Sequence, residues 1–277
     1  MKIIECPRDA MQGIKDFIPT DLKVKYINQL LNIGFDTIDF GSFVSTKSIP
    51  QLRDTKEVLN LLDLSTTKSK LLAITANIRG AQDACRFSQI NFLGFPLSIS
   101  PTFQKRNTNK TITDSFEEVK KIKDLTALHD KELVVYLSMA FGNPYGENFH
   151  PEIVLEMVEL LNTMEIKIIA LSDTIGVATP SVISSVFDNL IKKYPQIEFG
   201  AHFHSTKDKW KEKIDAAYKS GCRRFDGTLR GYGGCPMAKD ELVGNIDTEN
   251  IINYFNLNLD NKSLNNAKYF CCLLYTS

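Results

Sequence analysis

Two of the chain's four histidines stand two residues apart, at His202 and His204 in the run IEFGAHFH. Side chains alternate along an extended strand, so residues i and i+2 project to the same side. Two imidazoles at one strand end converge on a common point, as metal ligands must. The other reading is a hydrogen-bonded pair of core histidines. Asp9 follows the apolar run MKIIEC after Pro7 and Arg8, and it would bring a carboxylate oxygen to the same centre. Neighbours on an extended strand point apart, so an Arg8–Asp9 ion pair requires the chain to turn there, which Pro7 permits. Asn245 offers an amide oxygen, although its position after Gly244 reads by itself as a turn residue. Two imidazoles and two oxygens suit Mg2+ or Mn2+, with water or substrate completing an octahedron. The cysteine spacing excludes a four-cysteine zinc site.

Cys235 lies in GYGGCP. Three glycines before the thiol predict a mobile loop, and Pro236 stiffens its exit. A thiol so carried suits an acid or base that swings over a bound substrate; the alternative is a small buried residue. Asp39, in DTIDFGSF, and Asp173, in the run ending Ser172-Asp173-Thr174, add carboxylates near the ends of two further apolar runs.

These residues are far apart in the chain, and a common scaffold must gather them. Eight short, β-rich apolar runs are present, at 1–6, 36–43, 70–76, 90–99, 133–141, 166–173, 197–204 and 223–229. Near-continuous apolar runs suit strands covered on both faces, as in a parallel sheet. Helical patterns separate most of them. LKVKYINQLLNIG ends at a capping glycine, Gly34, and DKWKEKIDAAYKSG closes at Gly221. SFEEVKKIKDLTALHD opens with Ser115 and Glu118 at capping-box spacing. Pro151 and the pair Thr179-Pro180 mark two further helix starts, and AQDACRFSQ is the least regular of the set. Polar loops are expected at 63–70 and 102–111. Eight βα units predict a TIM (β/α)8 barrel, in which catalytic groups gather at the C-terminal ends of the strands. A doubly wound open sheet is the rival, but no glycine-rich nucleotide fingerprint follows any run. The barrel is assigned to 1–256. The stretch 257–277 has no assigned place and reads either as a terminal helix or as residues foreign to the native sequence.

The chain has 277 residues, 43% of them hydrophobic, enough for one large core. It carries 33 basic and 33 acidic side chains, so no net field favours nucleic acid or an anionic membrane. Six cysteines without a CxxC pair read as reduced thiols of a cytoplasmic protein. No apolar stretch is long enough to cross a bilayer. The strand pattern starts almost at residue 1, and no cleavable targeting segment is expected.

In order, PRDAMQ, FVSTKSIPQ, SDTIG, HFH and GYGGCPMA…GN resemble the hydroxymethylglutaryl-CoA lyase family of the DRE-TIM metallolyases. The resemblance runs from about Ile3 to about Phe255. It implies a barrel that binds a divalent metal, Mg2+ or Mn2+, through Asp9, His202, His204 and Asn245. It implies that Arg8 stabilises an enolate oxygen and that Cys235 is the acid/base of the loop. Asp173 matches the acidic residue of the sixth-strand motif, and Asp39 and His202 complete the catalytic set with Arg8, Asp9 and Cys235. The implied reaction is metal-dependent carbon–carbon cleavage of the small-molecule acyl-CoA 3-hydroxy-3-methylglutaryl-CoA to acetyl-CoA and acetoacetate, in the setting of leucine degradation and ketone-body metabolism. No nucleic-acid or membrane partner is implied, and a homodimer is left open.

Three positions depart from the family pattern. Asp39 stands where the family has glutamate, so a hydrogen bond there is expected to come from further back or through water. Asn143 stands for a cysteine, and Ser205 for an aspartate. They leave open another 3-hydroxyacyl-CoA substrate, a related aldolase or acyl-CoA/2-oxoacid condensing enzyme, and a barrel that keeps a metal without catalysis.

Overall fold

Chains that bury both faces of a strand need apolar residues at successive positions, and each of the eight runs becomes a strand. In the computed structural model, which describes residues 1–234 and 243–276 (side chains through 272), these are β1 (Lys2–Glu5), β2 (Thr37–Ser42), β3 (Lys70–Ile74), β4 (Ile90–Ser98), β5 (Glu132–Ser138), β6 (Ile168–Asp173), β7 (Glu198–Phe203) and β8 (Arg224–Gly227). They pair in sequence order, all parallel, and β8 pairs with β1 to close the barrel. This is the TIM (β/α)8 architecture.

The helices are α1 (Pro7–Met11), α2 (Thr20–Leu31), α3 (Thr55–Leu61), α4 (Ile78–Cys85), α5 (Pro101–Thr108), α6 (Ile112–Leu128), α7 (Pro151–Thr163), α8 (Pro180–Lys193), α9 (Trp210–Lys219), α10 (Thr248–Tyr254) and α11 (Asn261–Thr276). Pro151 and Pro180 open α7 and α8, and the Thr179 hydroxyl caps α8 by accepting from the Val182 N–H. Gly34 does not cap α2, whose cap is Asn32; with φ +99° it turns the chain towards β2.

Two local expectations are corrected. The polar stretch 102–111 is mostly helix, because Ser100 caps it by accepting from the Phe103 N–H and Pro101 opens its first turn. The capping box of α6 lies one turn earlier than Ser115–Glu118. Thr111 accepts from the Asp114 N–H at 3.0 Å and Asp114 accepts from the Thr111 N–H at 3.2 Å. Ser115 instead donates to the Thr111 carbonyl at 2.8 Å.

Alternation divides the packing into two layers. Leu71, Leu93, Val135, Ile169, Phe199 and Phe225 face outward into the core beneath the helices. Inside the barrel, Leu72, Phe92, Val134, Tyr136, Ile168 and Ala170 form a separate apolar cluster on β3–β6. The opposite half of the interior is polar, with buried Asp39, His202, Arg224 and Asp226 on β2, β7 and β8.

The stretch beyond the barrel begins with the Asp260 N–H donating to the Ile33 carbonyl and continues as α11. Leu264, Ala267 and Cys271 share one face of this helix and are buried. No helix among the described residues is long and apolar enough to cross a membrane.

Candidate active site

β1 stops at Glu5, and Pro7 starts the single-turn helix α1. Arg8 and Asp9 therefore sit on a helical turn, and their side chains meet: Arg8 Nη1 donates to Asp9 Oδ1 at 2.9 Å. The same guanidinium donates through Nε and Nη2 to Asp39 Oδ2, at 3.0 and 2.5 Å. Asp39 thus contacts Arg8 directly, which corrects the expectation of a contact from further back or through water. A register shift in β2 between Asp39 and Gly41 accompanies this placement. Gln12, one turn on from Arg8, receives from Arg8 Nη1 at 3.1 Å and donates to Asp9 Oδ1 at 2.5 Å.

Asp9 carries the junction to the other side of the rim. Its Oδ2 accepts from Asn245 Nδ2 at 2.7 Å and lies 4.0 Å from His202 Nε2. Asn245 reaches the site because it forms an antiparallel bridge with His204, and its amide also donates to the Tyr232 carbonyl at 3.1 Å. His202 Nδ1 lies 3.1 Å from Asp226 Oδ2, and His204 Nδ1 lies 2.9 Å from the Val243 carbonyl oxygen. With both Nδ1 atoms engaged, Nε2 is the nitrogen each ring has left for a ligand. Asp9, His202 and His204 each offer a donor atom, all within 4.8 Å of one another. One carboxylate, two imidazoles and a nearby amide fit a hard or borderline divalent cation.

The charges are set by their neighbours. Burial works to raise the Asp9 pKa, but Arg8, His202 and His204 outweigh it and hold the carboxylate below its ordinary value. Burial raises Asp39 to about 6, with Arg8 opposing. Burial works against a charged His202, yet Asp226 and Asp9 raise its pKa overall. His204 is lowered, by burial and by His202. Asp39 and Asp9 raise Arg8 against its own burial.

Arg8, Asp9, His202 and His204 line a cavity of about 370 Å³ whose walls include Val44, Ile74, Pro96 and Tyr136. Arg106 and Lys110, near the end of α5, line the same cavity.

Other expected residues are placed elsewhere. Asp173 accepts from Lys213 Nζ at 2.6 Å and from the N–H groups of Val177 and Ala178 at 2.9 and 3.1 Å. It does not line the cavity, although the adjacent Ser172 and Thr174 do. Asn143 folds its own loop, accepting from the Tyr145 and Glu147 N–H groups and donating to the Glu147 carbonyl. The Ser205 N–H donates to the Gly244 carbonyl at 3.0 Å. Cys235 lies outside the described residues. The residues flanking 235–242 do touch the site. Gly233, at φ +94°, passes so close to α1 that a Cβ there would come within 2.7 Å of the Asp9 carbonyl oxygen. Val243 follows the same segment and accepts from His204. Gln12, Asp226 and Lys213 were not found from sequence. Gln12 lies inside PRDAMQ, whereas Asp226 and Lys213 are brought to the site by the strand register and the fold.

Comparison with known proteins identifies the family. The model of the HMGL-like family matches residues 2–268. The chain belongs to the HMGL-like family. It is 33% identical over 246 residues to hydroxymethylglutaryl-CoA lyase YngG of Bacillus subtilis, covering 89% of this chain and 81% of that protein. It is 34% identical over 263 residues to the cytoplasmic 3-hydroxy-3-methylglutaryl-CoA lyase of Homo sapiens, covering 92% of this chain and 69% of the other. An HMG-CoA lyase of Acinetobacter baumannii, solved with coenzyme A and 3-methylmalate, superposes with a TM-score of 0.90 at 31% identity, covering 99% of this chain and 90% of that one. Members of the HMGL-like family thus share this chain's barrel over nearly its whole length.

Proposed function

We propose that the chain is a divalent-metal-dependent carbon–carbon lyase that cleaves 3-hydroxy-3-methylglutaryl-CoA to acetyl-CoA and acetoacetate. The observation that carries this reading is the Asp9–His202–His204 cluster at the strand ends, beside the buried Arg8 guanidinium. Asp9, His202, His204 and Asn245 would hold the ion, Mg2+ or Mn2+. Bound there, the ion supplies Lewis-acid polarisation of the substrate's hydroxyl and carboxylate oxygens.

The residues divide the remaining work. Asp9 takes the proton of the tertiary hydroxyl, because His202, with Nδ1 held by Asp226 and Nε2 turned to the ion, has no lone pair left for it. The bond between the hydroxyl-bearing carbon and the carbon next to the thioester then breaks, its electron pair staying with the thioester half. That half leaves as the enolate of acetyl-CoA, and the hydroxyl carbon becomes the ketone of acetoacetate. Arg8, held on two sides by Asp39 and Asp9, meets the charge on the enolate oxygen, where a fixed donor is most effective. Cys235 gives the enolate carbon its proton. Asp173 acts at one remove, because Lys213 bonds both its carboxylate and the His204 carbonyl. The cations of Arg106 and Lys110 suit the phosphates of a coenzyme A. We keep the cytoplasm as the proposed location, as for the human cytoplasmic relative.

The test is metal-dependent release of acetyl-CoA from a panel of 3-hydroxyacyl-CoA thioesters. The 3-hydroxy-3-methylglutaryl thioester should give the highest kcat/KM. A different preferred thioester would assign a related lyase activity, and release from none would leave a metal-binding barrel without this chemistry.

A further inference from the structure

The β7–β8 half of the barrel interior carries charge where a TIM barrel ordinarily packs branched apolar side chains. Gly200 pairs with Arg224 and His202 with Asp226 in the parallel register, and alternation points all four positions inward. Arg224 and Asp226 are 1% and 2% exposed. Gly200 makes the room: a Cβ there would lie 2.9 Å from Arg224 Cδ. Burying two charges in a barrel is expensive unless their partners use them. Arg224 Nη1 donates to Glu198 Oε1 at 3.2 Å, while its Nε and Nη2 have no hydrogen-bond partner among the described residues. Asp226 gives one oxygen to His202 Nδ1 at 3.1 Å, and the other has no partner among the described residues. The interior charge therefore ends on the imidazole that faces Asp9. Tyr136 presses on the same ring edge-on, at 84° and 5.6 Å between centroids.

We propose that Asp226, backed by Arg224, is a positioning residue: it holds His202 with the proton on Nδ1 and the Nε2 lone pair aimed at Asp9 and the metal. A carboxylate behind an imidazole is the usual way to fix the tautomer and ring orientation of a histidine ligand. The inference rests on the reading of His202 as a metal ligand, but not on turnover. The site contains one rival arrangement. Cys6, His202 and Asp226 also offer donor atoms within 4.8 Å of one another, so an ion could instead sit on the Nδ1 side.

The first measurement uses the wild-type protein without metal. Nitrogen-15 NMR of histidine-labelled protein at a pH where the ring is neutral, with His202→Gln to assign the signal, should show His202 protonated at Nδ1 and bare at Nε2. A proton on Nε2 would overturn the proposal. The second is Mn2+ affinity by calorimetry. Asp226→Ala should bind Mn2+ about 10- to 100-fold more weakly, and Asp226→Asn, which keeps an acceptor, should lose less. Unchanged affinity in a folded Asp226→Ala protein would make Asp226 a packing residue and reject the proposal. Cadmium is the third probe. A thiolate-to-cadmium absorption band that Cys6→Ser abolishes would put the ion on the other face and reject it as well. No readout involves substrate, so loss of the lyase reading would leave these results standing. Should both Asp226 variants fail to fold, the wild-type tautomer still decides.

Discussion

Lys213, buried on α9, donates from Nζ to the carbonyl oxygen of His204 at 2.9 Å. The same ammonium bonds Asp173 Oδ2 at 2.6 Å and the Gly176 carbonyl at 2.9 Å. One cation thus straps the end of β6, the following turn and the end of β7. Removing it alone strands a buried carboxylate. Lys213→Met should cost about 3–5 kcal/mol, the range for breaking a buried pair from one side. Lys213→Met with Asp173→Asn should recover part of that loss in denaturant unfolding. Additive losses would mean that the pair is not coupled.

Arg8 is fixed before substrate arrives, by Asp39 and Asp9. A preorganised donor acts mainly on the transition state. Arg8→Gln should lower kcat about 100- to 1000-fold with little change in KM. A raised KM at constant kcat would make Arg8 a binding residue.

Cys235 should be the one cysteine needed for chemistry. Cys6, Cys85, Cys222 and Cys271 are buried, and burial pushes the thiols of Cys6, Cys85, Cys222 and Cys271 up in pKa, away from the reactive thiolate. An alkylating reagent should label Cys235 first, and a product analogue should slow it. Cys235→Ala should lose most activity and retain Mn2+ binding. Full activity in that variant would remove the proton donor from the mechanism.

Glu5 ties both stems of the segment carrying Cys235. Its carboxyl accepts from the Leu229 N–H at 2.8 Å and the Thr248 hydroxyl at 2.5 Å. Burial raises its pKa from 4.5 to about 8. Below about pH 4.5 the group is protonated whether the chain is folded or not, and the balance is unaffected. From there to about pH 8 the unfolded chain releases the proton and the folded one keeps it, so stability falls as pH rises. Glu5→Gln removes this penalty. Its stability relative to wild type should climb between pH 5 and 8, by at most about 1.4 kcal/mol per unit. Parallel stability–pH curves would show that Glu5 does not titrate on unfolding.

The barrel was legible because parallel strands buried on both faces leave near-continuous apolar runs, and these survive in sequence as local signals. The rim residues were legible for a related reason: His202, Asp9 and Asp173 all follow or end such runs. What escaped depends on relations between strands. Asp226 reads as an ordinary acidic residue until the register sets it beside His202. Lys213 looks like one lysine among several on a solvated helix, and only the fold carries it to Asp173. An aspartate in place of the family's longer glutamate suggests a contact from further back or through water, but Arg8 reaches Asp39 directly from the turn that Pro7 starts. Helix α5 leaves no such signal in TFQKRNTNKT at 102–111, where nine of the ten residues are amides or hydroxyl- or charge-bearing groups with little apolar period; its signal lies just outside them, in Ser100 and Pro101.

On the proposed function, Asp9, His202, His204 and Asn245 hold a divalent ion that serves cleavage of 3-hydroxy-3-methylglutaryl-CoA. The most direct measurement is product formation by chelator-stripped protein, wild type and His204→Ala, before and after addition of Mg2+ or Mn2+. Wild type should form acetyl-CoA and acetoacetate in equal amounts only after metal is restored. His204→Ala should stay inactive at the same metal concentration and keep the wild-type circular dichroism, since a rim ligand adds little to the core. Metal-independent cleavage by the wild type, or undiminished metal-dependent cleavage by folded His204→Ala, would contradict the claim.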